Sequence, residues 1–140
     1  MTNAKPSREE VAAFFLLTAK KLLALQLSTH HEDPKEAFSS IISNKVAAGY
    51  IFGFQDAFLD RFQLLDARNP DAGLALLRDS YQNIFGNQPG FALFESSMNF
   101  QRDPDFQKGR QHGGNELIEY MECGTPPLGL GRILFLGLDE

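Results

Sequence analysis

Tryptophan is absent from this 140-residue chain, and cysteine occurs once, at Cys123. A single cysteine excludes an intramolecular disulfide and fits a reducing, cytoplasmic setting better than an extracellular one. Basic clusters are missing as well: 13 Lys and Arg stand against 18 Asp and Glu, a net charge of −5, and Lys20-Lys21 is the one adjacent basic pair. Such a surface repels a phosphate backbone, so neither nucleic acid nor an anionic membrane is an expected partner. The apolar run Val11 to Ala19 is too short to span a bilayer. Acidic Glu9 and Glu10 precede it and no small-residue cleavage site follows, so it does not read as a signal peptide. Also lacking are a serine nucleophile elbow, a P-loop, a paired-cysteine motif and a dinucleotide fingerprint. Most enzyme classes therefore have no support, and no cofactor is expected.

Hydrophobic residues make up 43% of the chain, with 13 Phe among them, which suffices for one packed core in a chain of this length. The clearest local signals are helix starts, where an Asx side chain caps free N–H groups and a following proline gives up no bond. Asp33-Pro34, Asn69-Pro70 and Asp103-Pro104 each precede an apolar-periodic stretch, and Ser7 with Glu10 forms a capping box before Val11. The expected architecture is all-α, a single domain over 1–140: an irregular bundle of about five helices, a flexible N-terminus over 1–6 and an extended apolar C-terminal tail over 125–140. The expected helices are Arg8 to Leu27, Pro34 to Asp66, Pro70 to Phe85, a short one bearing Phe91, Phe94 and Met98, and Pro104 to Cys123. Ser43-Asn44 or Gly49 can bend or break the second. In the last, Gly109, Gly113 and Gly114 demand either a close neighbour or a later start near Asn115. Cys123, near a helix C-terminus, reads as inert packing.

Two segments share a pattern, Gly49-x-x-x-Gly53-x-Gln55-Asp56 and Gly109-x-x-x-Gly113-x-Asn115-Glu116. The repeat is either a relic of duplication or a coincidence that a chain of this size readily produces. On a helix, glycines four apart share a face along which another backbone can approach closely. If the two glycine faces oppose one another, Asp56, Asp60, Glu116 and His112 converge, and inward carboxylates with a histidine are how helix bundles hold metal ions. Against this, the strongest apolar stripe of the second helix lies opposite its glycines, which leaves Asp56 and Asp60 facing water. His30 and His31 beside Glu32 and Asp33 read as a polar loop rather than a ligand set.

The surplus of apolar residues around the first helix and in the tail points to a shared surface, with Phe14, Phe15, Leu22, Ile133 and Phe135 as partner-binding candidates. The tail either closes over its own helices or is given to another subunit. The stretch Gly49-Tyr50-Ile51-Phe52-Gly53-Phe54-Gln55-Asp56-Ala57 resembles one found in small helical immunity proteins that neutralise amidase toxins of bacterial contact-dependent secretion systems. That resemblance implies a protein-binding role and no particular site residue. The expected function is a helical protein-interaction module, self-associating or neutralising a protein partner. The alternatives are a helical metal-binding protein or enzyme built on Asp56, Asp60, His112 and Glu116, and a bundle enclosing a small apolar ligand.

Overall fold

The computed structural model describes residues 5–66 and 68–137. Among the described residues every regular element is a helix, and there are seven: α1 Arg8–Ser28, α2 Pro34–Ile42, α3 Lys45–Arg61, α4 Pro70–Phe85, α5 Asn87–Asn99, α6 Pro104–Cys123 and α7 Gly129–Leu136. The all-α class is as expected. The count is higher for two physical reasons.

First, the long second helix is two. Asn44 leaves the helical region at φ −124° and ψ 103°, and its side chain accepts the Ala47 N–H, so it ends one helix and caps the next. Second, the tail is not extended. Residues 129–136 coil into α7, whose glycines at 129 and 131 let it lie close against neighbouring side chains. Residues 1–4, most of the expected flexible N-terminus, and residues 138–140 lie outside the described part.

Capping follows the sequence signals at three of four sites. Ser7 with Glu10 and Asp33 with Glu36 form reciprocal capping boxes, and Asp103 accepts the N–H groups of Asp105 and Phe106. Asn69 makes no capping bond, so α4 starts on Pro70 alone. Asp103 has a second task, an ion pair with Lys45 at 2.9 Å that ties the start of α6 to the start of α3. The Lys45 ammonium holds the Asp103 carboxyl below its ordinary value, and the carboxylate in turn holds Lys45 above its own. A carboxyl depressed by folding contributes stability above the unfolded value of about 4 and loses it as pH falls through the folded value. The melting temperature of the wild type should therefore exceed that of Asp103→Asn at pH 6, and the gap should narrow below about pH 4. The whole effect is small, because the pair is exposed.

The core is a layer of rings and aliphatic chains around α3. Of the apolar stripe Ala47, Ile51, Phe54, Phe58, Phe62 and Leu65, the first four are fully buried, while Phe62 is half-buried and Leu65, beyond the end of α3, is 43% exposed. Those four meet Phe15, Ala19, Leu23 and Leu27 of α1 and Leu77, Tyr81 and Phe85 of α4 within one continuous cluster. Phe58 packs edge-on against Phe15 at 5.1 Å between ring centres. Four polar side chains are buried among the described residues, Gln26, Gln55, Ser80 and Ser97; Gln55 accepts a hydrogen bond from the Ser80 hydroxyl and donates to the Ile51 carbonyl, so neither of that pair is left unsatisfied.

The whole of α1, longer than the run Val11 to Ala19, is long and apolar enough by length and composition alone to cross a membrane, a test that the core helix of a soluble protein also passes. In this fold one side of α1 is used in the core: Phe15, Ala19, Leu22, Leu23, Gln26 and Leu27 are buried.

Candidate functional site

The most extensive helix contact in the molecule is between α3 and α6. It is made by the two glycine segments. A Cβ placed on Gly49 or Gly53 would overlap the carbonyl of Phe106 or Arg110, and one placed on Gly109 or Gly113 would overlap the carbonyl of Val46 or Tyr50. The glycine faces do oppose one another, and each helix sets its carbonyls against the other's bare Cα atoms. Several glycines in helix interiors cost about 1 kcal/mol each. Here that cost is offset by contact over the length of the crossing, and α6 runs helical from Pro104 with no late start.

The contacts advance in the same direction on both helices, Val46 with Gly109, Tyr50 with Gly113 and Ala57 with Gly114, so the pair is parallel. They are also reciprocal under a shift of sixty positions. Gly49 meets Phe106 as Gly109 meets Val46, and Gly53 meets Arg110 as Gly113 meets Tyr50. The polar pairs obey the same rule, Tyr50 with Glu116 and Arg110 with Asp56. The repeat seen in the sequence is thus a local two-fold in space.

A two-fold along a parallel pair sends equivalent residues to opposite flanks, and this separates the expected carboxylate cluster. On one flank Glu116 Oε1 accepts the Tyr50 hydroxyl at 2.6 Å and the backbone N–H groups of Leu128 and Gly129 at 3.1 and 2.9 Å. His112 Nε2 lies 3.2 Å from the other oxygen of Glu116. Gln26, buried, donates to the Tyr50 oxygen and accepts the Leu130 N–H at 2.9 Å. The first three free N–H groups of α7 and its lead-in are thereby satisfied by side chains from α1 and α6, a cap supplied from outside the helix. Burial first, and then the neighbouring Glu116 charge, push the Tyr50 hydroxyl far above the ordinary tyrosine value, so it serves as a donor and not as a base.

On the other flank Asp56 Oδ2 accepts from Arg110 at 3.0 Å. The same guanidinium reaches Gln101 at 3.0 Å and lies 5.0 Å above the Phe52 ring. Asp60 stands one turn beyond Asp56, exposed, and among the described residues nothing bonds to its carboxylate. These two line a surface cleft of about 820 Å³ with Leu65, Gln111, Asn115 and Ile118.

Asp56 and Asp60 therefore sit together, His112 and Glu116 sit together, and the four do not meet. Among the described residues no three His, Cys, Asp or Glu come within metal-binding arrangement of one another. The expected four-residue metal site is corrected on that ground. His30 stacks on Phe135 with 4.5 Å between ring centres and packs beside α7, a contact that spacing alone gave no sign of. Cys123 is exposed rather than packed.

The expected partner-binding residues divide in the same plain way. Phe15, Leu22 and Ile133 are buried in the core and cannot form an outer surface. Phe135 is half-buried against His30. Phe14 is 47% exposed, and two residues the sequence reading passed over join it on the outer side of α1: Leu17 at 68% and Leu25 at 58%. Open grooves of about 630 and 600 Å³ flank this ridge, one towards Asp79, Gln82 and Asn83 and the other towards Tyr120 and Met121. A helix apolar on every side was the available signal, since a core on one side leaves the other side unpartnered.

Compared with known proteins, the chain matches no family model, and neither a curated protein nor a solved structure shows significant similarity to it.

Proposed function

We propose that this chain is a helical module that binds a protein, a second copy included, through the outer face of α1. One observation carries the reading: Leu17, Leu25 and Phe14 stand exposed in a row on a helix whose inner side already fills the core. Exposed leucines occur singly on most proteins, but a row on one helix, framed by two grooves, is the form of a docking ridge. α7 packs against α1 and carries a further exposed apolar residue, Leu136 at 61%. The stretch that resembles one in amidase immunity proteins lies inside the α3–α6 crossing and contributes no residue to this surface.

The test uses the full chain. A photo-crosslinking amino acid at position 17, expressed in the source cells, should give a discrete protein adduct, and the same group at Ser39 should give none. Leu17→Glu with Leu25→Glu should abolish that adduct, or any dimer seen by light scattering, while leaving the melting temperature nearly unchanged, because both residues are exposed. A strict monomer that yields no adduct at position 17 would overturn the proposal.

A further inference from the structure

The local two-fold offers a comparison within one molecule. At its closed flank the carboxylate of Glu116, 17% exposed, receives the N-terminal N–H groups of an eight-residue apolar helix, α7. At its open flank the equivalent carboxylate, Asp56, is 33% exposed and faces the cleft. Arg110 approaches Asp56 as Tyr50 approaches Glu116, so the inner half of the two seats is built alike. The outer half differs: α7 closes one, and the other stays open with Asp60 beside it. Arg110 is committed to Asp56, Gln101 and the Phe52 ring, and Lys108 on the α6 wall is engaged in contacts of its own. The cleft lining thus carries Asp56 and Asp60 together with Arg110 and Lys108, and Asp60 is the carboxylate in it to which no described residue bonds. A helix N-terminus, with unsatisfied N–H groups and the positive end of its dipole, complements two carboxylates directly. Leu65 and Ile118 line the same cleft, 43% and 41% exposed, and offer apolar contact to whatever enters it.

We propose that the α3–α6 cleft is a second docking seat, which takes a short apolar helix of a partner protein by its N-terminus. The partner's first N–H groups bond to Asp56 and Asp60, and its first apolar side chains lie on Leu65 and Ile118. This does not rest on the α1 surface.

The probe is a synthetic peptide copying residues 126–137, the one segment seen to fill such a seat, with lysines added after its last residue for solubility. It is titrated into the full, isotope-labelled chain. Its own seat is already filled by tethered α7, whose effective concentration excludes the added peptide. Expected are chemical-shift changes at Asp56, Asp60, Gln111, Asn115 and Ile118. Asp60→Asn with Asp56→Asn should weaken binding about tenfold, and Asp60→Asn alone, at an exposed side chain with no partner among the described residues, should show part of that loss in a fold left intact. Leu17→Glu should leave the peptide affinity unchanged. Three results would overturn the proposal: no binding at millimolar peptide, shifts confined to the Glu116 flank or to α1, or an affinity indifferent to Asp60. Shifts at Asp56 and Asp60 produced by calcium or magnesium alone, and competed by the peptide, would assign the cleft to a cation instead.

Discussion

Gly113→Ala should lower the unfolding free energy by about 3 kcal/mol or more, while Gly114→Ala, at the next position, should leave it unchanged or raise it by up to about 1 kcal/mol. The contrast follows from where each new methyl would go. At Gly113 it would overlap the Tyr50 carbonyl and press on the Tyr50 carbonyl carbon and the Phe54 nitrogen, all backbone atoms that can move aside only if α3 and α6 separate. At Gly114 it would stand 3.5 Å from the Gly53 carbonyl and 3.7 Å from the Ala57 methyl, ordinary contact distances. There the gain in helix propensity is not opposed. Gly53→Ala should behave as Gly113→Ala does. Combining the two should cost less than their sum, because once the crossing has opened for one methyl the second finds room. Denaturant unfolding monitored by circular dichroism reads all four variants. A Gly113→Ala protein as stable as the wild type would show that the glycine crossing is not what holds the helices together.

The second large effect is expected at Glu116. Glu116→Ala removes at one stroke the acceptor for the Tyr50 hydroxyl and for the N–H groups of Leu128 and Gly129. The Tyr50 hydroxyl is buried and the Gly129 N–H part-buried, whereas the Leu128 N–H is exposed and can turn to water; an unpaired buried donor costs about 1 to 3 kcal/mol, and since Gln26 offers Tyr50 a longer alternative at 3.4 Å, a loss of about 1 to 3 kcal/mol is expected. The loss should be local before it is global. Amide exchange at Leu128, Gly129 and Leu130 should rise far more than at Ile51 or Phe54, and proteolysis should open the segment after Pro127 first. Glu116→Gln keeps one acceptor oxygen and should fall between. Equal exchange at 128–130 in the wild type and Glu116→Ala would mean that α7 is held by its apolar contacts, Leu130 and Ile133, and not by its cap.

What could be read from the sequence was whatever depends on neighbours along the chain. Pro34, Pro70 and Pro104 marked helix starts because the first-turn proline and its preceding cap are local chemistry. The paired glycines marked a close crossing, because only another backbone profits from so much missing side chain. Asp56, Asp60, Glu116 and His112 were read as lying beside the glycine faces, with solvent as the alternative for Asp56 and Asp60, and helical spacing could take them no further. Their failure to converge turned on whether α3 and α6 meet with a two-fold that divides equivalent residues between flanks, a relation between helices that no spacing within either one encodes. α7 was misjudged for a related reason. An isolated helix of eight residues led by glycines is marginal, and in this fold it is capped by Glu116 and by the distant Gln26 while Leu130 and Ile133 are buried. Phe15, Leu22 and Ile133 were read as surplus by counting apolar residues, but a core that buries Phe15, Phe52, Phe54, Phe58, Phe85 and Phe106 together is larger than that count allowed.

The bonds that bind the two glycine helices join residues 66 and 54 positions apart, Tyr50 to Glu116 and Asp56 to Arg110. Bringing such distant stretches together spends loop-closure entropy before any contact is gained, so refolding should be slower than in a bundle of sequential hairpins. The order of events is constrained as well: the seat for α7 is assembled from α1, α3 and α6, and the C-terminal segment can settle only after those three have met.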